Sequence, residues 1–327
     1  MPTTWTTKIL ICAPVVLALV FLLRSHLMAR KAEYWTLAEG TENASDKGAA
    51  IRILFVGNSF IHYNGGAEKV VTKLLEEHLG AKVYTRRYAP GGYTWSQHLT
   101  DAKDPSKSLY KLLGKGATKS WDYIIFQEQS QAPALGGKET LLSYQALSGL
   151  VQLAKGRNAH PVLLMTWGYL NGDKQEHPTI FPDYHAMQER LANGYLSLAT
   201  RLQQDLNISF LIAPAGLGWQ HIHKLLHRGD AADLPAGKET FFALYAKDGI
   251  HPSPFGTYLE ACVIADAITG CKASGLTANP LELDGNWLAF LQGVADEVVF
   301  QDRGSAYPPF HLGRETGCLK KVGDMTG

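Results

Sequence analysis

From residue 51 onward, short apolar runs alternate with amphipathic stretches. Ile51–Val56 reads IRILFV, 82–88 KVYTRRY, 122–126 DYIIF, 161–166 PVLLMT and 208–213 ISFLIA. Each has the length and the β-branched or aromatic content of a strand. Between and after them, apolar residues recur at three- and four-residue spacing over 67–79, 139–155, 183–204, 216–228, 254–269 and 284–300, which predicts helices. Strand-length segments separated by helices imply a parallel sheet covered on both faces. No internal repeat is present. One globular domain is predicted over 50–300, and residues 301–327, polar with Gly and Pro, predict an irregular tail.

The start of the chain follows another pattern. Ile9–Leu23 (ILICAPVVLALVFLL) carries no charge, with Lys8 before it and Arg24, Arg30 and Lys31 after it. A spanning helix needs about 20 apolar residues; extension through Met28 reaches that length if Arg24 snorkels. No A-x-A cleavage site follows, so residues 1–28 read as an N-terminal membrane anchor in preference to a cleaved signal peptide. Either reading makes the catalytic domain extracytoplasmic, although the basic residues after the run favour the opposite orientation. Residues 29–49 lack periodicity and form a linker. Asn43-Ala-Ser45 and Asn207-Ile-Ser209 are glycosylation sequons, meaningful only in a eukaryotic secretory setting.

Composition narrows the classes. With 31 basic and 30 acidic residues there is no electrostatic footprint for nucleic acid. At 46% hydrophobic and 19% charged the chain is no disordered polymer. Its four cysteines, Cys12, Cys262, Cys271 and Cys318, are too few for a disulfide scaffold and form no C-x-x-C. Cys262 and Cys271 either pair or remain buried thiols.

In a parallel α/β sheet, sites form at the carboxyl ends of the strands. The first strand is followed by Gly57-Asn58-Ser59-Phe60, the second by Pro90-Gly91-Gly92-Tyr93, and the third by Gln127-Glu128-Gln129-Ser130-Gln131. Trp167-Gly168 follows the fourth, and Asp248-Gly249-Ile250-His251 precedes the helix at 254. That inventory suits acyl transfer. A serine hydroxyl needs a base, and His251 is the candidate. Asp248, three residues earlier, can hold the other ring nitrogen. The oxyanion of a tetrahedral intermediate needs preorganised donors. The backbone N–H of Ser59, at a strand-to-helix turn, is one; Gly92 allows a second backbone approach; Gln129 offers a side-chain amide.

These blocks, in this order, resemble the SGNH/GDSL hydrolases. The resemblance covers about residues 51 to 269. It implies a three-layer α/β/α sandwich, flavodoxin-like, with a parallel sheet of about five strands. It further implies esterase, lipase or acyltransferase activity without metal or other cofactor. Ser59 is then the nucleophile, His251 the base and Asp248 its orienter, with Ser59, Gly92 and Gln129 around the oxyanion. Gly57-Asn58-Ser59 stands where the family usually has G-D-S, and Gln127-Glu128-Gln129-Ser130 where it has G-x-N-D. Together with HPSPFGTYLEA after the Asp–His pair, this resembles a bacterial subgroup of the family. The expected function is a serine esterase, best suited by analogy to a small acyl (acetyl) group on a carbohydrate. An acyltransferase on glycans is the alternative, and an inactive carbohydrate-binding or scaffold protein is the alternative of another class. The expected partners are a small-molecule or glycan ester and, through the N-terminal segment, a membrane; oligomeric state is left open.

Structural readings stand beside these. Ser59 also suits a helix N-cap, His251 a loop histidine and Asp248 a turn cap. Gly91 and Gly92 suit a turn alone. Gln127, Glu128 and Gln131 read as scaffold, Glu128 against backbone donors. Tyr93, Trp95, Trp167 and His98 fit a sugar cleft or the core equally. His223 and His227 share a helical face but lack the carboxylate of H-E-x-x-H, so they read as a packed or solvated face. Asp183 reads as a helix cap.

Overall fold

The computed structural model describes residues 47–228, 234–237, 239–300 and 311–312. The anchor and linker expected over 1–49 therefore lie almost wholly outside the described residues, as does most of the tail. No described helix is long and apolar enough to cross a membrane.

Five strands form the parallel sheet: β1 (Ile51–Val56), β2 (Val83–Tyr88), β3 (Tyr123–Phe126), β4 (His160–Leu164) and β5 (Phe210–Ala213). Their order is β2-β1-β3-β4-β5, and all four pairings are parallel. The chain moves from β1 outward to β2 and then back across to β3. That reversal leaves a crevice at the carboxyl ends of β1 and β3, where α/β proteins place their sites. Ile53, Leu54, Phe55 and Val56 are all fully buried, because helices cover both faces of the sheet. A two-residue strand, β6 (His311–Leu312), pairs antiparallel with β5. It lies in the stretch where sequence alone predicts no strand, since two residues carry no period.

The longer helices are α1 (Ala67–Leu79), α2 (Trp95–Lys103), α3 (Gly137–Lys155), α4 (Tyr184–Leu206), α5 (Ala215–Arg228), α6 (Pro254–Thr269) and α7 (Gly285–Phe300). On one face α6 packs between α1 and α7; on the other α3 packs against α2 and α4. α6 is buried from Gly256 through Thr269, which fits a helix apolar on nearly every side. Its start is set by Ser253, whose Oγ accepts the N–H groups of Phe255 and Gly256, with Pro254 in the first turn. Asp183 caps α4 by accepting Ala186 N–H at 2.8 Å, as its sequence position predicts.

α2 is not predicted by apolar spacing. Its inward residues are Trp95, His98, Asp101 and Ala102, two of them polar. His98 packs among aromatic rings and Asp101 accepts the Tyr88 hydroxyl at 2.6 Å, so polar side chains fill a buried face. The readable signal is the capping box Thr94-x-x-Gln97, which is formed.

Cys262 is a buried free thiol, so it does not pair with Cys271. Cys271 is disulfide-bonded.

Candidate active site

β1 runs into the nucleophile turn through Gly57. A Cβ there would lie 2.5 Å from both Gln127 Oε1 and Ile61 Cδ1, so any larger residue would have to push these two side chains aside. Asn58 then organises the turn. Its Oδ1 accepts Phe60 N–H at 3.2 Å, capping the helical turn Ser59–His62. Its backbone N–H donates to Gln127 Oε1 at 2.8 Å. Its Nδ2 donates to Tyr93 O at 3.1 Å and Glu128 O at 3.4 Å. One asparagine thus ties together the segments following β1, β2 and β3.

The segment after β2 forms a turn closed by Tyr93 N–H to Pro90 O at 3.2 Å. Gly92, at the third position, has φ +70°, the value a type II turn requires there and glycine adopts freely. Among the described residues no acceptor takes the N–H of Ser59 or of Gly92, so both donors remain available to a ligand.

The three residues expected to form a triad lie together. Ser59 Oγ lies 2.8 Å from His251 Nε2, and His251 Nδ1 lies 2.6 Å from Asp248 Oδ2. Asp248 Oδ1 accepts the backbone N–H of Ile250 at 2.9 Å and of His251 at 3.0 Å. Burial would raise the Asp248 carboxyl, but the bonds from the His251 ring and these two N–H groups outweigh it and hold the group below its ordinary value. The loop is clamped from outside: Trp167 Nε1 donates to Ile250 O at 3.1 Å and Leu170 N–H to Gly249 O at 2.8 Å. The His251 ring is also packed. Tyr63 stacks on its face, with centroids 4.0 Å apart, and Phe60 meets it edge-on at 5.6 Å. Phe60 in turn stacks on Trp167, and Trp167 on Trp219.

After β3, Glu128 is a buried scaffold residue. Its Oε1 accepts Trp95 N–H at 2.7 Å and Gln129 N–H at 2.8 Å. Burial pushes its carboxyl up to about 7 despite those bonds. Gln129 is folded onto its own loop. Its Oε1 accepts the N–H of Gln131 and Ala132, and its Nε2 donates to Gln131 Oε1 and, at 3.4 Å, to Ser130 Oγ. An oxyanion role would require that amide to turn away from these partners.

Trp95, Trp167 and His98 are fully buried, so for these three the core reading applies; Tyr93 is half-buried at the β2 turn. His98 is lowered to about 3 by burial. His223 packs against Tyr184 and Phe241, and His227 Nδ1 lies 2.8 Å from the His223 carbonyl, which is the packed helix face expected. The described residues that bring metal-ligand atoms close together are Asp173, Glu176 and His177, within 4.8 Å of one another. Gln131 Nε2 donates to both of those carboxylates, at 2.8 and 3.1 Å. Sequence reasoning misses Tyr63, Tyr169, Asp173 and Glu176: none lies in a motif, and each meets the candidate site through a residue distant in the chain, Tyr63 through His251, Tyr169 through Ser130, and Asp173 and Glu176 through Gln131.

No family model matches the chain, and no curated protein matches it in sequence. Among solved structures it is similar to a DUF4886 family protein from Bacteroides uniformis, at 19% identity and a TM-score of 0.57, over 76% of this chain and 95% of that one. That likeness supports the fold. The chain is also similar, at 14% identity and a TM-score of 0.43, to Axe2, an acetylxylan esterase from Geobacillus stearothermophilus, over 69% of this chain and 95% of that one. A likeness at that level carries no argument about activity.

Proposed function

We propose that this protein is a serine hydrolase of the SGNH type that cleaves an ester through an acyl-enzyme. The observation that carries the reading is the continuous hydrogen-bonded line Ser59 Oγ–His251 Nε2, His251 Nδ1–Asp248 Oδ2. The carboxylate can only accept, so Nδ1 holds the ring proton and Nε2 presents its lone pair to the serine hydroxyl. Ser59 Oγ bonds to the ester carbonyl carbon as its proton passes to Nε2. The N–H groups of Ser59 and Gly92 are the proposed donors to the oxyanion. Collapse breaks the bond to the alcohol oxygen, which takes the proton from Nε2. Water then repeats the sequence on the acyl-enzyme and frees Ser59.

A small acyl group on a carbohydrate is the proposed substrate, by analogy of site and family resemblance. We place the domain outside the cytosol, held by the apolar segment at 1–28. The disulfide at Cys271 supports this, since such bonds persist in oxidising compartments.

The test is covalent labelling. Incubated with a small fluorophosphonate, the protein gains one adduct on Ser59, and Ser59→Ala gains none. A folded protein that takes up no label overturns the reading.

A further inference from the structure

A cleft of about 350 Å³ opens beside the triad. Its walls come from three places: the triad loop (Asp248, Gly249, Ile250), the segment after β3 (Gln129, Gln131) and the stretch from Tyr169 to Glu176 that follows β4. The stretch is locked to the triad loop through Leu170 N–H on Gly249 O. The cleft therefore borders the candidate triad at the Asp248 loop. Most of its lining residues are polar, and Ile250 is the single aliphatic side chain among them. With one aliphatic side chain, such walls offer a fatty acyl chain little to bury, whereas a polyol would find donors and acceptors on Gln129, Gln131, Tyr169, Asp173 and Glu176.

The charges in the cleft are fixed and unbalanced. Asp173, Glu176 and Asp248 line it, against Lys174. Asp173 is 5% exposed, yet it is held as an acceptor: Gln131 Nε2 reaches its Oδ2 at 2.8 Å and Glu176 N–H its Oδ1 at 3.0 Å. Gln131 also donates to Glu176 Oε2 at 3.1 Å, so one amide aims both carboxylates together. Tyr169 stands in the same wall, with its hydroxyl 2.5 Å from Ser130 Oγ. Burial first, and then Asp173, Glu176 and Asp248, push its phenol up to about 12. It remains a neutral hydrogen-bonding group in a negative field.

We propose that this cleft binds the alcohol half of the ester, and that Asp173 and Glu176 select hydroxyl-rich alcohols that are neutral or carry an ammonium group over those that carry a carboxylate or phosphate. The proposal rests on the hydrolase reading for its place in the reaction. Its binding side stands apart from it: the carboxylates attract an ammonium and repel an anion whether or not Ser59 is activated.

The experiment is therefore a binding titration on the full chain, followed by NMR at low and at high salt. The probes are the methyl glycosides of glucosamine, glucose and glucuronic acid. Expected is affinity for the glucosaminide at least about tenfold above that for the glucuronide, with the glucoside between them, and a narrower gap at high salt. In Asp173→Asn/Glu176→Gln the gap closes to within about twofold. Glu176→Gln alone, at an exposed position, closes part of it and covers the case in which the double variant fails to fold. Equal affinities, an unchanged gap in the variants, or no saturable binding of any glycoside overturns the proposal. The two readings fail separately. Labelling at Ser59 without charge discrimination removes the subsite alone; discrimination without labelling removes the hydrolase alone.

Discussion

The ring of Tyr63 lies flat on the ring of His251, 4.0 Å between centroids and 3° from parallel. The aromatic face covers one side of the imidazole and would favour the imidazolium that the proposed mechanism forms when Ser59 gives up its proton. Such a contact contributes about 1 kcal/mol, or about fivefold in rate. Tyr63→Ala should lower kcat on an aryl acetate by about that factor with KM little changed, and Tyr63→Phe should retain most of the rate. Steady-state kinetics of the two variants decides it.

Asp248 is set apart from a mere turn cap by its Oδ2. Asn at 248 can still accept the two loop N–H groups through its oxygen, but its amide then faces His251 Nδ1 as a donor and forces the wrong tautomer. Asp248→Asn should fold normally and lose about 10⁴ in kcat, as Ser59→Ala should. Circular dichroism beside turnover separates loss of chemistry from loss of fold.

Gly57→Ala should damage both stability and the site. The new methyl meets Gln127 Oε1 and Ile61 Cδ1, each at 2.5 Å, and Gln127 is the residue that anchors Asn58. Overpacking of this kind costs about 1–3 kcal/mol. Urea denaturation should show that loss, and fluorophosphonate labelling should slow in the fraction that remains folded.

Gln129→Ala should lower kcat less than about tenfold, because its amide nitrogen is engaged by Gln131 and Ser130 while two backbone N–H groups stand open. Removing a donor that serves the oxyanion costs about 10² or more, so kinetics on a small ester separates the two roles.

Glu128 should leave a signature in the pH dependence of stability. Its folded carboxyl is raised from an ordinary 4.5 to about 7, chiefly by burial. Between those values the native state binds the proton and the unfolded chain does not. The contribution is complete below about 4.5 and is lost as pH rises through about 7, on the order of 3 kcal/mol at most. Glu128→Gln, which cannot ionise, should flatten that slope in denaturation curves taken from pH 4 to 8.

Much of this was legible before any coordinates. The short apolar run Ile51–Val56, the amphipathic α4 and the long, nearly all-apolar α6 are each visible in the sequence, and the blocks at Ser59, Gly92 and Asp248–His251 lie in loops on the sheet's carboxyl side. What stayed hidden has physical causes. α2 turns His98 and Asp101 inward and so lacks an apolar stripe. β6 is too short to have a pattern. Gln129 stands at the right position in its block, but the direction of its amide depends on Gln131, and that of Gln131 on Asp173 and Glu176, more than 40 positions downstream. The cleft draws its walls from three loops, and the third of them, 169–176, reads in sequence as ordinary polar surface.

Ser59 and His251 are 192 positions apart and joined by one hydrogen bond. The serine lies at the first strand end of the domain, whereas the proposed base precedes α6, which packs against α1, the long helix that follows the serine turn. On the proposed reading, a chain emerging from the ribosome therefore carries its nucleophile through most of synthesis without the group that would activate it. Reactivity arrives only when the late segment docks on the early one, a long-range closure of the slow kind. Appearance of a labelable Ser59 would thus report completion of the whole domain, and a truncated or half-folded copy would be harmless to the esters around it.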